Sequence, residues 1–168
     1  MVGSVVDSNL INLFQDERAR EIEDEAHAAL DAIFTNGHIV LDDSEQCQTE
    51  WMSCAAFAPP IALADWIADM MQKEKIQLKP LTCGSMHKEL TGLGIPKKDH
   101  KWVRLAISAD SPLIATNDID LIDPTSKKSG AVTRAKIMAS CKGPVSKYLK
   151  KSYGINVLCC AKVPAFFA

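Results

Sequence analysis

Short apolar runs alternate along this chain with longer segments whose apolar residues recur every three or four positions. The short runs have the length and the bounding turn residues of buried strands. They predict strands at residues 3–6, 38–41, 76–78, 113–116 and 155–161. The longer segments have the periodicity of amphipathic helices, which bury one face. They predict helices at residues 7–14, 17–34, 61–71, 85–93, 99–109, 131–141 and 145–152, and one more between a cap at 42–44 and about residue 56.

The order of these elements predicts the fold class. Strands separated by helical segments are typical of α/β proteins, in which a mainly parallel sheet carries helices on both faces. We therefore expect a three-layer α/β/α fold with a mainly parallel central sheet. A length of 168 residues with 47% hydrophobic residues suits one domain, which spans residues 1–168.

Cysteine usage suggests where the protein is found. None of the six cysteines has the C-x-x-C spacing, and no signal peptide or long apolar stretch is recognisable. We therefore expect reduced thiols in a cytoplasmic protein that does not enter a membrane. Cys47 and Cys54 lie seven residues apart on one predicted helix face, and we interpret them as buried small hydrophobic residues in preference to zinc ligands.

The charge of the chain is divided between its two halves. Residues 1–84 contain 5 Lys and Arg against 15 Asp and Glu, whereas residues 85–168 contain 14 against 6, although the net charge is only −2. A basic half suits contact with a phosphate backbone, and solvated surface lysines are the alternative. The basic residues that we expect nearest a cleft, as phosphate contacts, are Lys97, Lys98, Lys101, Arg104, Lys127, Lys128 and Arg134.

Four acidic residues stand out by position. Asp7 ends the first predicted strand, Asp118 follows the fourth, Asp99 lies in the first turn of a helix, and Glu50 lies within a helix. Carboxylates at the carboxyl ends of parallel strands lie where α/β folds bind their ligands. Each acid alone has a simpler explanation, as a turn residue, a helix cap or a solvated helical side chain. Their joint pattern favours one carboxylate site.

A carboxylate site of this kind favours a hard divalent cation. Mg²⁺ and Mn²⁺ prefer oxygen ligands, and such an ion activates water and neutralises charge on a phosphoryl group during phosphodiester hydrolysis. Without a metal ion, clustered carboxylates repel one another and some of their pKa values rise. No P-loop, G-x-G-x-x-G or G-x-S-x-G motif occurs, so a nucleotide cofactor or a serine hydrolase has no support.

The acids and their neighbours resemble the pattern of the PIN-domain nucleases. The resemblance depends on Val5-Val6-Asp7-Ser8-Asn9, on Thr49-Glu50-Trp51, on Asp99 at a helix start, and on a T-x-D-x-D segment within residues 113–121. Asp99 and Asp118 are 19 residues apart, close to the spacing of this segment in the family. The resemblance covers residues 2–163. Each motif is short, and their conjunction carries the specificity.

The resemblance implies a role for each matching residue. The positions that match catalytic ligands of one or two Mg²⁺ or Mn²⁺ ions are Asp7, Glu50, Asp99 and Asp118, with Asp120 as a more variable fifth acid. The polar residues around the ligands are matched by Ser8, Asn9 and Thr116. Two features depart from the family: Leu121 stands where an aromatic residue is common, and the basic segment 126–136 lengthens the following loop.

The function implied by the resemblance is metal-dependent endonuclease cleavage of single-stranded nucleic acid, with RNA favoured over DNA. Small bacterial members often act as toxins restrained by an inhibitory protein partner or as defence effectors, and homodimers are in keeping with the family. Residues 66–71 are the candidate dimer interface, with core burial an equal explanation. The alternative function is a PIN-like module that binds nucleic acid or protein without cleavage, although four mutually repelling carboxylates argue against it.

Two more residues adjoin the acids in sequence. His100 follows Asp99, and we interpret it as a surface histidine, with phosphate contact or proton transfer as the alternative. Trp51 follows Glu50, and we interpret it as a buried helical tryptophan that either packs beneath the site or serves only the core.

Overall fold

The computed structural model describes the backbone of residues 1–15, 20–54 and 60–168, and the side-chain environments outside 13–23 and 54–61. Five strands form one sheet in the order β3-β2-β1-β4-β5, and every neighbouring pair is parallel. The strands are β1 Val2–Val6, β2 Gly37–Asp42, β3 Ile76–Lys79, β4 Leu113–Ala115 and β5 Asn156–Leu158. The described helices are α1 Ser8–Gln15, α2 Arg20–Asn36, α3 Gln46–Cys54, α4 Pro60–Gln72, α5 His87–Gly92, α6 His100–Ser108, α7 Ala131–Ser140, α8 Pro144–Tyr153 and α9 Val163–Phe167. The expected α/β/α fold with a parallel sheet is confirmed.

The strands are buried along their length, as expected of a parallel sheet that is covered on both faces. All six residues of β2 and all three of β4 are buried. Unbroken burial of this kind suits strands with helices on both faces. In the described part of the chain, α6 packs against β1, β2 and β4, and α2 packs against β1 and β2. The resulting core extends from Val5 in β1 to Val163 in α9.

The strand order places a topological switch point between β1 and β4. The chain lays β2 and β3 on one side of β1 and then returns to lay β4 and β5 on the other. Val6 pairs with Ala115, and the backbone N–H of Asp7 donates to the carbonyl oxygen of Ala115 at 3.0 Å. The residues that follow β1 and β4 therefore lie side by side, at the place where α/β sheets bind ligands.

Helix α3 is attached to the sheet at both ends. Asp42 caps its start, because its carboxylate accepts the backbone N–H groups of Gln46 at 2.9 Å and Cys47 at 2.8 Å, as the predicted cap requires. Near its end, the buried indole of Trp51 donates Nε1–H to the carbonyl oxygen of Val6 at 3.0 Å. Trp51 thus packs beneath the site, and α3 carries Glu50 to the end of β1.

The predicted strand at 155–161 is wrong in extent. Pairing ends at Leu158, because β4 is only three residues long and its last ladder bond runs from the Thr116 N–H to the Leu158 carbonyl at 2.9 Å. The apolar residues that follow form a 3₁₀ turn at Cys160–Lys162 and then α9. Pro164 in the first turn of α9 suits a helix start. The sequence prediction ended with the strand at residue 161 and assigned no element to the residues of α9.

The other predicted elements agree with the structure within a few residues at their ends, although residues 17–19 and 55–56 of two predicted helices lie outside the described residues. Cys47 is fully buried, as expected of a small hydrophobic residue, and the side chain of Cys54 lies outside the described part. No helix among the described residues is long and apolar enough to cross a membrane.

Candidate metal centre

The centre begins with Asp7, whose side chain is 2% exposed at the end of β1. Its Oδ2 accepts hydrogen bonds from Thr116 Oγ1 at 2.7 Å and from Asn9 Nδ2 at 3.3 Å. Ser8 Oγ lies 3.2 Å from its Oδ1. The three polar residues that the sequence placed around the acids therefore all contact Asp7, and they fix the direction of its carboxylate.

The hydroxyl of Thr116 joins the ends of β1 and β4. Its single proton goes to Asp7, while its oxygen accepts the backbone N–H of Asp118 at 2.9 Å and lies 3.4 Å from Asn9 Nδ2. Asn9 Oδ1 in turn accepts the backbone N–H of Asn117 at 3.0 Å. The loop after β4 is therefore attached to the first turn after β1, which brings Asp118 beside Asp7.

Asp118 then positions a second acid. Its Oδ1 accepts the backbone N–H of Asp120 at 2.9 Å and so caps the 3₁₀ turn Ile119–Leu121. The side chain of Asp120 is buried at 1% exposure. The T-x-D-x-D segment therefore folds back so that both of its carboxylates face the same region.

Asp99 completes a group of three acids that could hold a metal ion. One carboxylate oxygen from each of Asp99, Asp118 and Asp120 lies within 4.8 Å of the others. Asp99 is the residue before α6 and is 3% exposed, and its Oδ2 is buried with no hydrogen-bond partner among the described residues. Buried polar atoms in native structures normally have a hydrogen-bond or charge partner, and this carboxylate oxygen has none among the described residues. A bound cation is one partner that would stabilise it.

The pKa values reflect this crowding. Burial, and then the charges of Asp118, Asp7 and Glu50, raise the pKa of Asp99 to about 7 despite the opposing charge of Lys98. Burial also raises the pKa of Asp7 to about 6; the Thr116 hydrogen bond lowers it and the charge of Asp118 raises it further. Asp7, Glu50 and Asp118 thus act electrostatically on Asp99, and Asp7 and Asp99 keep their protons to a higher pH than an ordinary aspartate does.

Two lysines pair with the remaining acids. Lys101 forms an ion pair with Glu50, whose other oxygen lies 3.2 Å from Ser8 Oγ. Lys127 Nζ lies 2.6 Å from Asp120 Oδ2. The hydroxyl of Ser8 has one proton for Asp7 and Glu50, so it donates to one carboxylate at a time. All five predicted acids therefore belong to one connected arrangement, with two ammonium groups at its rim.

The pair between Lys127 and Asp120 predicts competition with a bound metal ion. Lys127→Met frees the Asp120 carboxylate, so we expect the affinity for Mn²⁺, measured by isothermal titration calorimetry, to rise by about two- to fivefold, the scale of an exposed ion pair. The neighbouring exposed Lys128→Met is the matched control, and its Mn²⁺ affinity should stay within error of the wild type. A fall in Mn²⁺ affinity on Lys127→Met would contradict competition at Asp120.

The other five predicted phosphate contacts fall into two groups, an exposed group of four and Arg104. Lys97, Lys98, Lys128 and Arg134 are exposed, and Arg134 Nη1 donates to the carbonyl oxygen of Lys127 at 3.2 Å. Arg104 points elsewhere: its Nε donates to the carbonyl oxygen of Thr82 at 3.2 Å, and its Nη1 lies 3.4 Å from His87 Nε2.

His100 is buried at 0% exposure, so its interpretation as a surface histidine is wrong. Its Nε2 lies 2.8 Å from the carbonyl oxygen of Ile95 and its Nδ1 lies 2.8 Å from His87 Nδ1. A carbonyl only accepts, so Nε2 of neutral His100 carries the proton and its Nδ1 accepts from His87. These bonds connect His100 to the chain before α6, which makes it a support for the helix start that presents Asp99.

Several features of the centre had no clear signal in the sequence. The pairs of Lys101 with Glu50 and of Lys127 with Asp120 join residues 51 and 7 positions apart, and the lysines could be placed near the cleft but not assigned to partners. The 51-residue separation carries no periodic signal. The separation of seven within a loop could be recognised only after the turn at Asp118 is known.

Comparisons of the chain with protein-family models, with curated proteins and with solved structures gave no match. The resemblance to PIN-domain nucleases therefore remains a prediction from the residues quoted above.

Proposed function

We propose that this protein is a metal-dependent nuclease of the PIN type, which hydrolyses phosphodiester bonds of single-stranded nucleic acid with Mg²⁺ or Mn²⁺. The observation that carries the proposal is the convergence of Asp99, Asp118 and Asp120 beside Asp7 at the switch point of a parallel sheet. The preference for RNA over DNA comes from the sequence resemblance alone.

The donor set fits a hard cation. It consists of carboxylate oxygens, the ligands of Mg²⁺ and Mn²⁺, without the cysteine or histidine ligands that favour zinc. The partnerless Oδ2 of Asp99 supplies one donor that nothing else in the described residues uses. Proton loss from Asp99 and Asp7, whose pKa values are about 7 and 6, would accompany binding of the cation.

In the proposed hydrolysis, each residue of the centre has a separate role. The bound cation would supply an activated water and a neutralising charge for the phosphoryl group. Thr116 and Asn9 hold the Asp7 carboxylate in one direction, and Asp118 holds Asp120 through the capped turn. Lys101 and Lys127 stand at the rim, where a substrate phosphate can replace the carboxylate partners they have now.

The biological role of the protein is proposed from the sequence resemblance alone. A toxin held by an inhibitory partner, a defence effector and a homodimer are all in keeping with small PIN proteins. The candidate dimer segment 66–71 contains half-buried Trp66, Met70 and Met71, which pack against the core, so burial within one chain accounts for these side chains.

The test is cleavage of end-labelled single-stranded RNA and DNA by purified protein with Mn²⁺, with Mg²⁺ or with EDTA. We expect cleavage that requires the cation, together with a rise in melting temperature when Mn²⁺ is added. Asp7→Asn, purified in parallel, controls for a contaminating nuclease, because Asp7 lies at the centre of the site.

Two results would reject the proposal in different ways. A melting temperature that rises with Mn²⁺ without cleavage of either substrate would leave a metal-binding module in place of a nuclease. No response of the melting temperature to any divalent cation would remove the metal centre itself and favour the module that binds nucleic acid or protein without cutting.

A further inference from the structure

A second concave site lies at the edge of the sheet that β5 forms. It is a cavity of about 500 Å³ between the end of α7, the outer side of α8 and the strand itself. A volume of this size accommodates a small organic molecule. None of the carboxylates of the candidate metal centre lines it.

The lining of this cavity is strongly cationic. Four of its ten residues are lysines and none is acidic: the lysines are Lys142, Lys147, Lys150 and Lys162. The ion pairs found in the described part of the chain involve Lys73, Lys101 and Lys127, and none involves a lysine of this cavity. Four ammonium groups around one concavity create a positive potential that favours a multiply charged anion.

The floor of the cavity is the free edge of β5. Asn156 N–H donates to Pro112 and Thr116 N–H donates to Leu158, so these two residues of β5 face β4. Val157 between them, which lines the cavity, directs its backbone N–H and carbonyl away from β4 in a parallel ladder. The cavity therefore combines lysine charge at its wall with the backbone of Val157 at its floor, while Val157 itself is buried and belongs to the core.

A thiol lines one end of the cavity. Cys141 ends α7 and lines the cavity, and its Sγ accepts the backbone N–H of Cys159 at 3.2 Å. Hydrogen bonds from Cys159 hold the pKa of Cys141 below its ordinary value, although burial opposes them, and the charge of Lys162 adds a smaller lowering effect. Negative charge is thus stabilised at this end of the cavity, and the thiol offers a natural chemical label for its occupancy.

We propose that this cavity is a binding site for a small phosphorylated molecule of nucleotide size, separate from the candidate metal centre. The phosphate groups would contact the lysines of α8 and the chain before it, and the organic part would lie against the free edge of β5. The volume favours a compact ligand over a bare phosphate ion, since a phosphate alone would leave most of 500 Å³ unfilled.

Two simpler explanations of the same lysines make different predictions. Lysines often shield an edge strand from pairing with another chain, and lysines on a helix are often only solvated. Neither role requires a concave arrangement, and neither predicts selective binding of a phosphorylated ligand. A surface that only contacts the backbone of a single-stranded nucleic acid depends on many phosphate contacts. Such a surface would bind a mononucleotide weakly.

The test is isothermal titration of the full chain, in EDTA, with ADP, pyrophosphate and adenosine. We expect ADP to bind with a Kd on the order of 10 µM, pyrophosphate to bind more weakly, and adenosine to show no measurable binding. Lys147→Glu with Lys150→Glu should weaken ADP binding by at least about 30-fold, since two attractive charges become repulsive. Lys88→Glu with Lys151→Glu changes net charge equally at exposed positions outside the cavity and should weaken it less than about threefold.

Protection of Cys141 gives a second readout on the unaltered protein. Iodoacetamide labelling of the Cys141 peptide, followed by mass spectrometry, should slow at least about fivefold when ADP is saturating, because a bound ligand closes the cavity that the thiol lines. Asp118→Asn should bind ADP as the wild type does, so failure of the nuclease proposal would leave this result unchanged.

Three outcomes would overturn the proposal. ADP that does not bind, or that binds without protecting Cys141, would reject the ligand or its location. Equal losses of ADP affinity in the two double charge-reversal variants would show that net charge alone, and not the cavity, determines binding. Binding of a single-stranded oligonucleotide that depends on Lys147 and Lys150, with ADP inert, would make the cavity part of a strand-binding surface.

Discussion

Asp118→Asn should lower Mn²⁺-dependent cleavage of single-stranded RNA by about 10²–10³-fold while the protein remains folded. Asp118 is one of the three carboxylates within 4.8 Å of one another, and its charge also raises the pKa of Asp7 and Asp99. The asparagine keeps Oδ1 as an acceptor for the Asp120 N–H, so the capped turn persists while the charge is lost. Initial rates of cleavage with Mn²⁺ measure the effect.

The control for this substitution is Asp65→Asn, which removes the charge of an exposed aspartate on α4. Asp65→Asn should cleave at the wild-type rate. Thermal unfolding in EDTA should show Asp118→Asn at least as stable as the wild type, because repulsion within the cluster is relieved. An Asp118→Asn protein that still cleaves would remove Asp118 from the chemistry, and one that unfolds would show that this acid serves the fold.

Asp99→Asn should make the protein more stable than the wild type in EDTA, by an amount that grows as the pH rises. The pKa of Asp99 is about 7 in the folded protein, against an ordinary value of 3.8, so the folded state holds this proton more tightly. Below about pH 4 both states are protonated and the wild type has no penalty. Between pH 4 and pH 7 the unfolded chain loses the proton first, and the free energy of unfolding of the wild type falls. Above pH 7 the penalty is complete, at roughly 4 kcal/mol.

Guanidinium unfolding of both proteins at pH 4, 5.5, 7 and 8 measures this difference. The same experiment with Mn²⁺ should reverse the order at pH 8, because the ion stabilises the ionised wild-type site and the asparagine offers one charge less. Asp65→Asn should follow the wild type at every pH. A difference between Asp99→Asn and the wild type that does not change with pH would show that Asp99 carries no raised pKa in the folded protein.

The sheet was predictable because its signal is local. Buried strands such as β2 and β4 contain short apolar runs, and the alternation with amphipathic helices leaves few arrangements other than a parallel sheet. The end of the chain was not predictable in the same way. Residues 159–161 are as apolar or small as a strand would be, and only the length of β4, an element 40 residues earlier, ends the pairing at Leu158.

The acids of the site were predictable by position and the contacts between them were not. Strand ends place Asp7 and Asp118, because parallel strands bring their carboxyl ends to one edge. Burial of Asp99 and His100 depends on how α6 meets β1, β2 and β4, which is long-range packing. The assignment of Lys101 to Glu50 depends on the relative rotation of α3 and α6, which amphipathic periodicity limits only loosely.

The two ammonium groups at the rim bear on the order in which this protein is assembled. Lys101 and Lys127 already balance Glu50 and Asp120, so part of the acidic charge is compensated by the chain itself. If the centre binds a cation as proposed, such a chain would fold before it is loaded and would keep its fold when the cation leaves. Loading then becomes an exchange of one positive group for another, whose balance depends on ionic strength and on the concentration of divalent ions around the protein.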